Sequence, residues 1–270
     1  MKKKRVDELL LEQQLIESIE EAQSHILAGK VFTTKEMKIL TVGEKLPLDT
    51  KLYIKGQEKK YVSRGGLKLE KAITAFNLIL KDKIILDIGA STGGFTDVSL
   101  KNGAKLVYAL DVGTNQLAWE LRTHEQVVVM EQTNFRHSQK EDFKHGQPDL
   151  ATIDVCFISL ELILPPLFSI LKDKGEVVAL IKPQFEAARE DVGEGGIIKD
   201  SSLYKNILLQ VIQFAQSNSF FLKDLTISPI TGAKGNIEFL GYFVKNEEQL
   251  IDVAQLIDEV IAKVIELEKK

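Results

Sequence analysis

The sequence predicts an α/β fold: a mostly parallel, seven-stranded sheet with helices on both faces, preceded by a small α+β module. Three observations predict it. Apolar strand-like runs alternate with helical periodicity from residue 66 onward. One such run, Ile84–Asp87, breaks into the loop Gly89-Ala90-Ser91-Thr92-Gly93-Gly94 and leads into a helix. That strand, glycine turn and helix N-terminus form a cradle for a nucleotide-like ligand in an open sheet. Third, residues 1–55 lack the alternation and read as two short helices followed by short strands.

The elements follow in order. Residues 4–28 carry apolar positions at helical spacing, with Gly29 as a C-cap. Val31–Thr34 and Lys51–Ile54 are strand-like. The polar stretch 56–65 reads as a linker between a first domain, 1–55, and a second, 66–270. The second domain opens with a helix over 66–79. Strands are predicted at 84–87, 106–110, 127–130, 150–154, 175–181, 220–228 and 236–244. Helices are predicted at 95–102, 117–121, 160–171, 203–216 and 247–266. Two consecutive strands near the end predict one antiparallel member.

Composition narrows the class. With 270 residues, 44% hydrophobic and 27% charged, the chain suits an ordinary soluble protein. The N-terminus MKKKRVDELLLEQQ interrupts its apolar residues with acids, unlike a secretory signal, and no run reaches membrane-spanning length. The single cysteine, Cys156, rules out an intrachain disulfide and fits a cytoplasmic setting. It reads as a buried structural thiol. The histidines lack metal-ligand spacing, so no metal site is expected. Net charge is −4, yet Lys51–Lys83 holds nine Lys/Arg against three acids, just upstream of the glycine loop. That local excess is a candidate nucleic-acid contact, the alternative being a solvated linker.

Ligands of open α/β sheets bind at the carboxyl ends of strands. Asp87 and Gly89 end one strand, Asp111 ends the next, Asn134 and Phe135 follow the third, and Asp154 ends the fourth. Asp111 suits the two hydroxyls of a ribose, and Phe135 an adenine ring. The loop spacing is not G-x-G-x-x-G, which disfavours a dinucleotide. Lys182 emerges from the apolar run 177–181, Glu238 sits among Ile237 and Phe239, and Lys68 lies on the first helix of the domain. Two lysines and two acids in one cleft form an ion network that can lower one lysine's pKa and let it take a proton from a hydroxyl. The alternative is an ordinary salt bridge at the sheet edge. Trp119 reads as a packing residue, and Glu186–Gly196 as a lid.

Several phrases resemble known families. D-x-G-x-x-x-G-G at Asp87–Gly94 resembles the first motif of S-adenosylmethionine-dependent methyltransferases. R-x-D-x-L-L from Arg5, A-x-x-x-I-x-A-G-K-V from Ala22 and G-E-x-L from Gly43 resemble the S4 RNA-binding domain, although Ile19-Glu20-Glu21 replaces that family's usual Ser-Arg pair. The ordered set Lys68, Asp154, Lys182, Glu238 resembles the K-D-K-E tetrad of FtsJ/RrmJ-type ribose 2′-O-methyltransferases. S-R-G-G-x-K-L, D-I-G-A-S-T-G-G-F-T-D, D-V-C-F-I-S-L and I-K-P-Q-F-E resemble the TlyA family over essentially the full chain.

The resemblance implies a class I methyltransferase fold behind an S4-like domain, and methylation of a cytidine 2′-hydroxyl in ribosomal RNA. S-adenosylmethionine would bind at Asp87, Gly89, Ser91, Gly93, Gly94, Phe95, Asp111, Asn134 and Phe135. Arg5, Lys59, Lys60 and Arg64 would contact RNA. The family's older label, hemolysin, is the rival reading, and a non-catalytic RNA-binding protein is a third.

Overall fold

The computed structural model describes residues 3–13, 15–16, 18–56, 60–198, 200, 202–232, 235–248 and 251–268. They form two compact units, Met1–Lys60 and Tyr61–Lys270.

The first unit contains β1 (Lys3–Arg5), α1 (Val6–Glu12), α2 (Ile19–Leu27), β2 (Val31–Thr33), β3 (Lys45–Pro47) and β4 (Leu52–Ile54). β1 pairs antiparallel with β3, and β2 with β4. Ser18 caps α2 by accepting from the Glu21 N–H at 3.1 Å, which satisfies one of the helix's free donors. Val6, Leu9 and Leu10 of α1 and Ala22 and Ile26 of α2 bury their faces against Val31, Leu46, Leu52 and Ile54. The sequence reads residues 4–28 as wholly helical apart from a break, whereas residues 3–5 are a strand.

The second unit opens with α3 (Gly66–Phe76), closed by Asn77 at φ 52°. There follow β5 (Ile84–Ile88), α4 (Gly94–Lys101), β6 (Leu106–Leu110), α5 (Trp119–Arg122), β7 (Val127–Met130), β8 (Leu150–Ile153), α6 (Leu164–Ile170), β9 (Glu176–Ile181), α7 (Pro183–Glu186), α8 (Leu203–Ser217), β10 (Phe220–Ile227), β11 (Phe239–Lys245) and α9 (Val253–Glu268). Among the described residues the strands make one seven-stranded sheet in the order β10-β11-β9-β8-β5-β6-β7. β11 runs antiparallel to both neighbours, and β5 to β9 are parallel. The mostly parallel α/β fold with one antiparallel member is as the sequence predicts.

Chain order reverses at β5. It leads to β6 and β7 on one side and to β8 and β9 on the other, so a ligand site belongs at its carboxyl end.

Side chains of each strand alternate between two apolar layers. Leu86, Ile88, Val177, Ala179 and Ile181 face a core shared with α6, α8 and α9. Ile85, Leu150, Val178, Leu180 and Leu240 face α3 and α4. The same parity sends Asp154, Lys182 and Glu238 to the face of α3, which carries Lys68.

Several boundaries differ from expectation. The helix over 160–171 splits into a 3-10 turn, Leu160–Leu162, and α6, because Pro165 and Pro166 suit only a helix start. The last helix begins at Val253, and β11 begins at Phe239, which leaves Glu238 in the loop before the strand.

Candidate active site

The four charged candidates meet at the carboxyl edge of the sheet. Lys182 Nζ lies 2.6 Å from Asp154 Oδ1, and Lys68 Nζ lies 3.4 Å from Asp154 Oδ2 and 2.8 Å from Glu238 Oε2. Asp154 therefore bridges two ammonium groups, and Lys68 bridges two carboxylates. The Lys68–Glu238 contact is an ion pair off the hydrogen-bonding direction, since Glu238 Oε2 has no aligned donor. β11 pairs Phe239 with Ile181, and one further step of that register sets Glu238 opposite Lys182. Asp154 is the most open member, with 20% of its side chain exposed against 6% for Lys182 and 3% for Glu238.

Burial favours a protonated Asp154, yet the two lysines hold its carboxyl below the ordinary value. Burial also works against the charge on Lys182, but the Asp154 carboxylate and Cys156 raise its ammonium above the usual lysine value. A lowered pKa at Lys182, the direction expected from two neighbouring lysines, is thus corrected. Lys182 touches a carboxylate at 2.6 Å, and that contact outweighs a cation on the carboxylate's far side.

Cys156 is also corrected. It is exposed, with its Sγ 3.1 Å from Lys182 Nζ.

The glycine loop sits beside this network. Gly89 has φ +86°, and a Cβ there would lie 2.5 Å from the Asp154 carbonyl oxygen. Gly93 has φ +96°, and its Cβ would overlap Leu121 and meet Leu117 Cδ1 at 2.8 Å. Both positions need positive φ and close packing, which only glycine supplies cheaply. Asp111 is fixed by two backbone donors, Ser91 N–H at 2.8 Å and Gly113 N–H at 2.7 Å. Val112 beside it is exposed at 69%, and Ser91 and Thr92 are exposed as well. A pinned carboxylate next to an open apolar side chain fits a ligand bearing a ribose diol and a flat base. Asn134 is half-buried and accepts from Arg136 N–H at 3.2 Å.

Other candidates lie beneath the surface. Asp87 is buried and accepts from Thr96 Oγ1 at 2.7 Å and Thr152 Oγ1 at 3.2 Å. Burial pushes its carboxyl up to about 7 against those two hydrogen bonds. It braces the loop from below. Gly94 packs on Ser63 and Gly66, while Phe95 and Phe135 are buried in the core. Phe135, at 2% exposure, is therefore no platform for an adenine: its 3-10 turn tucks the ring inward.

Residues 61–245 match the model of the FtsJ-like methyltransferases. The chain belongs to that family. A Bacillus subtilis relative whose name proposes an rRNA methyltransferase, YqxC, is 53% identical over 239 residues, covering 88% of this chain and 85% of the relative. The 16S/23S rRNA (cytidine-2'-O)-methyltransferase TlyA of Mycobacterium tuberculosis is 36% identical over 256 residues, covering 95% of each. A solved Streptococcus thermophilus structure provisionally named hemolysin has a TM-score of 0.82 and 51% identity, covering 100% of this chain and 98% of that one.

In this FtsJ-like methyltransferase, a second opening flanks Lys182. It is a cleft of about 730 Å³ lined by Arg136, Phe157, Ile158, Ser159, Leu162, Phe185 and Arg189. Phe157 is 91% exposed at φ +63°, a strained conformation for an aromatic residue, and its ring stands 5.1 Å from that of Phe185. Phe185 lies 5.8 Å from Lys182 Nζ. Sequence reasoning left Phe157, Arg136 and Arg189 out; the only signal was an aromatic two residues past Cys156's neighbour Val155 in a strand-end loop. It also missed Glu131, which accepts from Asn115, Gln116 and Leu117 N–H and from Arg122 at 2.5 Å. Arg122 and those amides hold the Glu131 carboxyl down to about 2, and the carboxylate pins the loop after Asp111.

Trp119 is 76% exposed, contrary to its expected packing. The segment read as a lid folds on itself: Gly193 pairs with Ile197 through a 3.0 Å N–H to carbonyl bond.

The RNA candidates are placed separately. Arg5 is half-exposed but spends its guanidinium on Asp7 at 3.0 and 2.6 Å. Lys60 is exposed, Arg64 is half-buried, and Lys59 lies outside the described residues.

Proposed function

We propose that the protein methylates a ribose 2′-hydroxyl of ribosomal RNA, at a cytidine, using S-adenosylmethionine and acting in the cytoplasm on ribosomal RNA or a ribosomal subunit. The observation that carries this reading is the Lys68–Asp154–Lys182 chain of ion pairs, anchored by Glu238, between the glycine loop and the aromatic cleft. A ribose hydroxyl is a weak nucleophile until it loses its proton, so the site needs a positioned base. S-adenosylmethionine supplies an electrophilic methyl group when bound, and Gly89, Ser91, Gly93, Asp111 and Val112 are the residues to hold it. Lys182 takes the 2′-hydroxyl proton from the small fraction in which it is neutral. Asp154 orients Lys182, Lys68 ties Asp154 to Glu238, and Phe157 and Phe185 offer faces to the target base. Arg136 and Arg189 can meet phosphates at the rim. Arg5 of the S4-like first unit, which shares its guanidinium with Asp7, and Lys59, Lys60 and Arg64 are separate candidates for RNA contact.

Supplied with tritiated S-adenosylmethionine and ribosomal RNA, the protein is expected to label RNA. A 2′-O-methyl caps the oxygen that would attack the adjacent 3′-phosphate, so alkali should leave the label in a resistant dinucleotide that contains cytidine. Label in a mononucleotide would overturn ribose methylation. No helix among the described residues is long and apolar enough to cross a membrane. Lysis of red cells by the pure protein, retained in Lys182→Ala, would favour the hemolysin reading. Failure to bind the donor would favour a non-catalytic RNA-binding protein.

The pH dependence has a definite sign. Asp154 raises the Lys182 ammonium while burial opposes it, so the neutral fraction grows only as pH rises. Single-turnover rates should climb with pH through the alkaline range. In Asp154→Asn the larger raising contact is gone while Cys156 and burial remain, so the climb should move to lower pH, at a reduced maximum. A profile unmoved by that substitution would contradict Lys182 as the base.

A further inference from the structure

Glu238 is the candidate with the least obvious support. It precedes β11 instead of belonging to it, so no sheet pairing on its own residue fixes the side chain. Its carboxylate nevertheless lies buried within 2.8 Å of Lys68 Nζ. The loop before it closes on itself. Ser228 N–H donates to the Glu238 carbonyl at 2.9 Å, and Gly232 N–H donates to the Asn236 carbonyl at 2.9 Å. Asn236, itself buried, reaches across to the 193–198 turn. Its Nδ2 donates to the Gly196 carbonyl at 2.8 Å, and its Oδ1 accepts from Ile198 N–H at 3.2 Å.

Gly232 faces Glu238. A Cβ built there would overlap Glu238 Oε1 and meet Cδ at 2.7 Å and Cγ at 3.3 Å. The three nearest atoms all belong to the same side chain. Gly232 has no positive φ, so an L-residue meets no backbone penalty there. The requirement for glycine is one of space alone.

We infer that Gly232 is a positioning residue: its bare backbone is the seat against which the Glu238 carboxylate lies, and Asn236 fastens that seat to the 193–198 turn. The inference rests on the proposed role of the Lys68–Asp154–Lys182–Glu238 network. A methyl group at position 232 pushes the carboxylate off Lys68. Glu238 is almost fully buried, so it has little room to yield without leaving that partner. Lys68 then loses one of its two carboxylates, and its hold on Asp154 loosens. Misplacement of a reacting group by about 1 Å is enough for losses on the order of 10²-fold.

The test compares wild type, Gly232→Ala, Glu238→Ala and the double variant, with two readouts. The first is acetylation of Lys68 by acetic anhydride, read by mass spectrometry, which needs no activity. The second is methyl transfer to ribosomal RNA, resolved into kcat and KM. Lys68 labelling in Gly232→Ala is expected to rise toward that of Glu238→Ala, with thermal melting close to wild type. Its kcat should fall about 10- to 100-fold with KM for RNA unchanged. On the Glu238→Ala background the same substitution should cost nothing more. Unchanged Lys68 labelling in Gly232→Ala, or an equal loss of kcat on both backgrounds, would overturn the seat. Wild-type transfer by Glu238→Ala would instead overturn the catalytic reading of Glu238, with the labelling still reporting on the seat.

Discussion

Lys182→Ala is expected to lower methyl transfer by about 10²–10⁴-fold, the usual contribution of a positioned base, while donor binding measured by calorimetry persists. The reasoning is local. Lys182 contacts Asp154 at 2.6 Å and Cys156 at 3.1 Å, and neither belongs to the loop read as the donor cradle. Its loss removes a proton acceptor but leaves Gly89, Gly93 and Asp111 in place. Lys182→Arg separates charge from basicity: a guanidinium preserves a cation beside Asp154 but does not shed its proton at working pH. Arginine should therefore keep the fold and remain close to alanine in rate. Transfer near the wild-type rate by Lys182→Ala would remove the assignment of the base. A fall in both variants with a matching loss of donor affinity would make the residue part of the donor pocket instead.

Gly89→Ala should remove donor binding and lower the melting temperature together. The residue sits at φ +86°, and the added Cβ would stand 2.5 Å from the backbone oxygen of Asp154, an atom with little freedom to move. Strain at φ > 0 and forced overpacking together come to roughly 2–5 kcal/mol. For a unit of this size that is about 5–15 °C in melting temperature. The push falls on the joint between β5 and β8, so Asp154 moves with it. Calorimetry should find donor affinity reduced at least tenfold, and transfer should fall further because Asp154 also positions Lys182. A variant that melts like wild type and binds the donor normally would show that this glycine is not required for its turn.

The sheet was open to reading because β5, β6, β8 and β9 are short apolar runs buried on both faces, and the helices between them carry apolar residues at helical spacing. Lys182 was legible for the same reason: a charge directly after five apolar residues marks a strand end. Phe157 was not. Nothing in its neighbours along the chain marks it, and its left-handed backbone and 91% exposed ring appear only in the fold. Phe135 failed in the opposite sense, because the 3-10 turn after Asn134 rotates it under the sheet edge. Glu131 was missed because its role depends on three backbone amides brought to it from the loop after β6.

Periodicity and strand-end chemistry were thus enough for the α/β class, the glycine loop at Gly89–Gly94 and the charges Asp154 and Lys182, while the resemblance to the K-D-K-E tetrad joined Lys68 and Glu238 to them. These are local properties, encoded in which neighbours along the chain are apolar. Which charges touch, in which direction the Lys182 pKa moves and why position 232 must lack a side chain were settled by folding alone. The first two depend on distances between residues far apart in the chain, such as Lys182 to Asp154 or Lys68 to Glu238, and the third on a loop that folds Glu238 back onto Gly232. Electrostatic interaction and steric overlap vary steeply over a few ångströms, and the order of residues does not carry that scale.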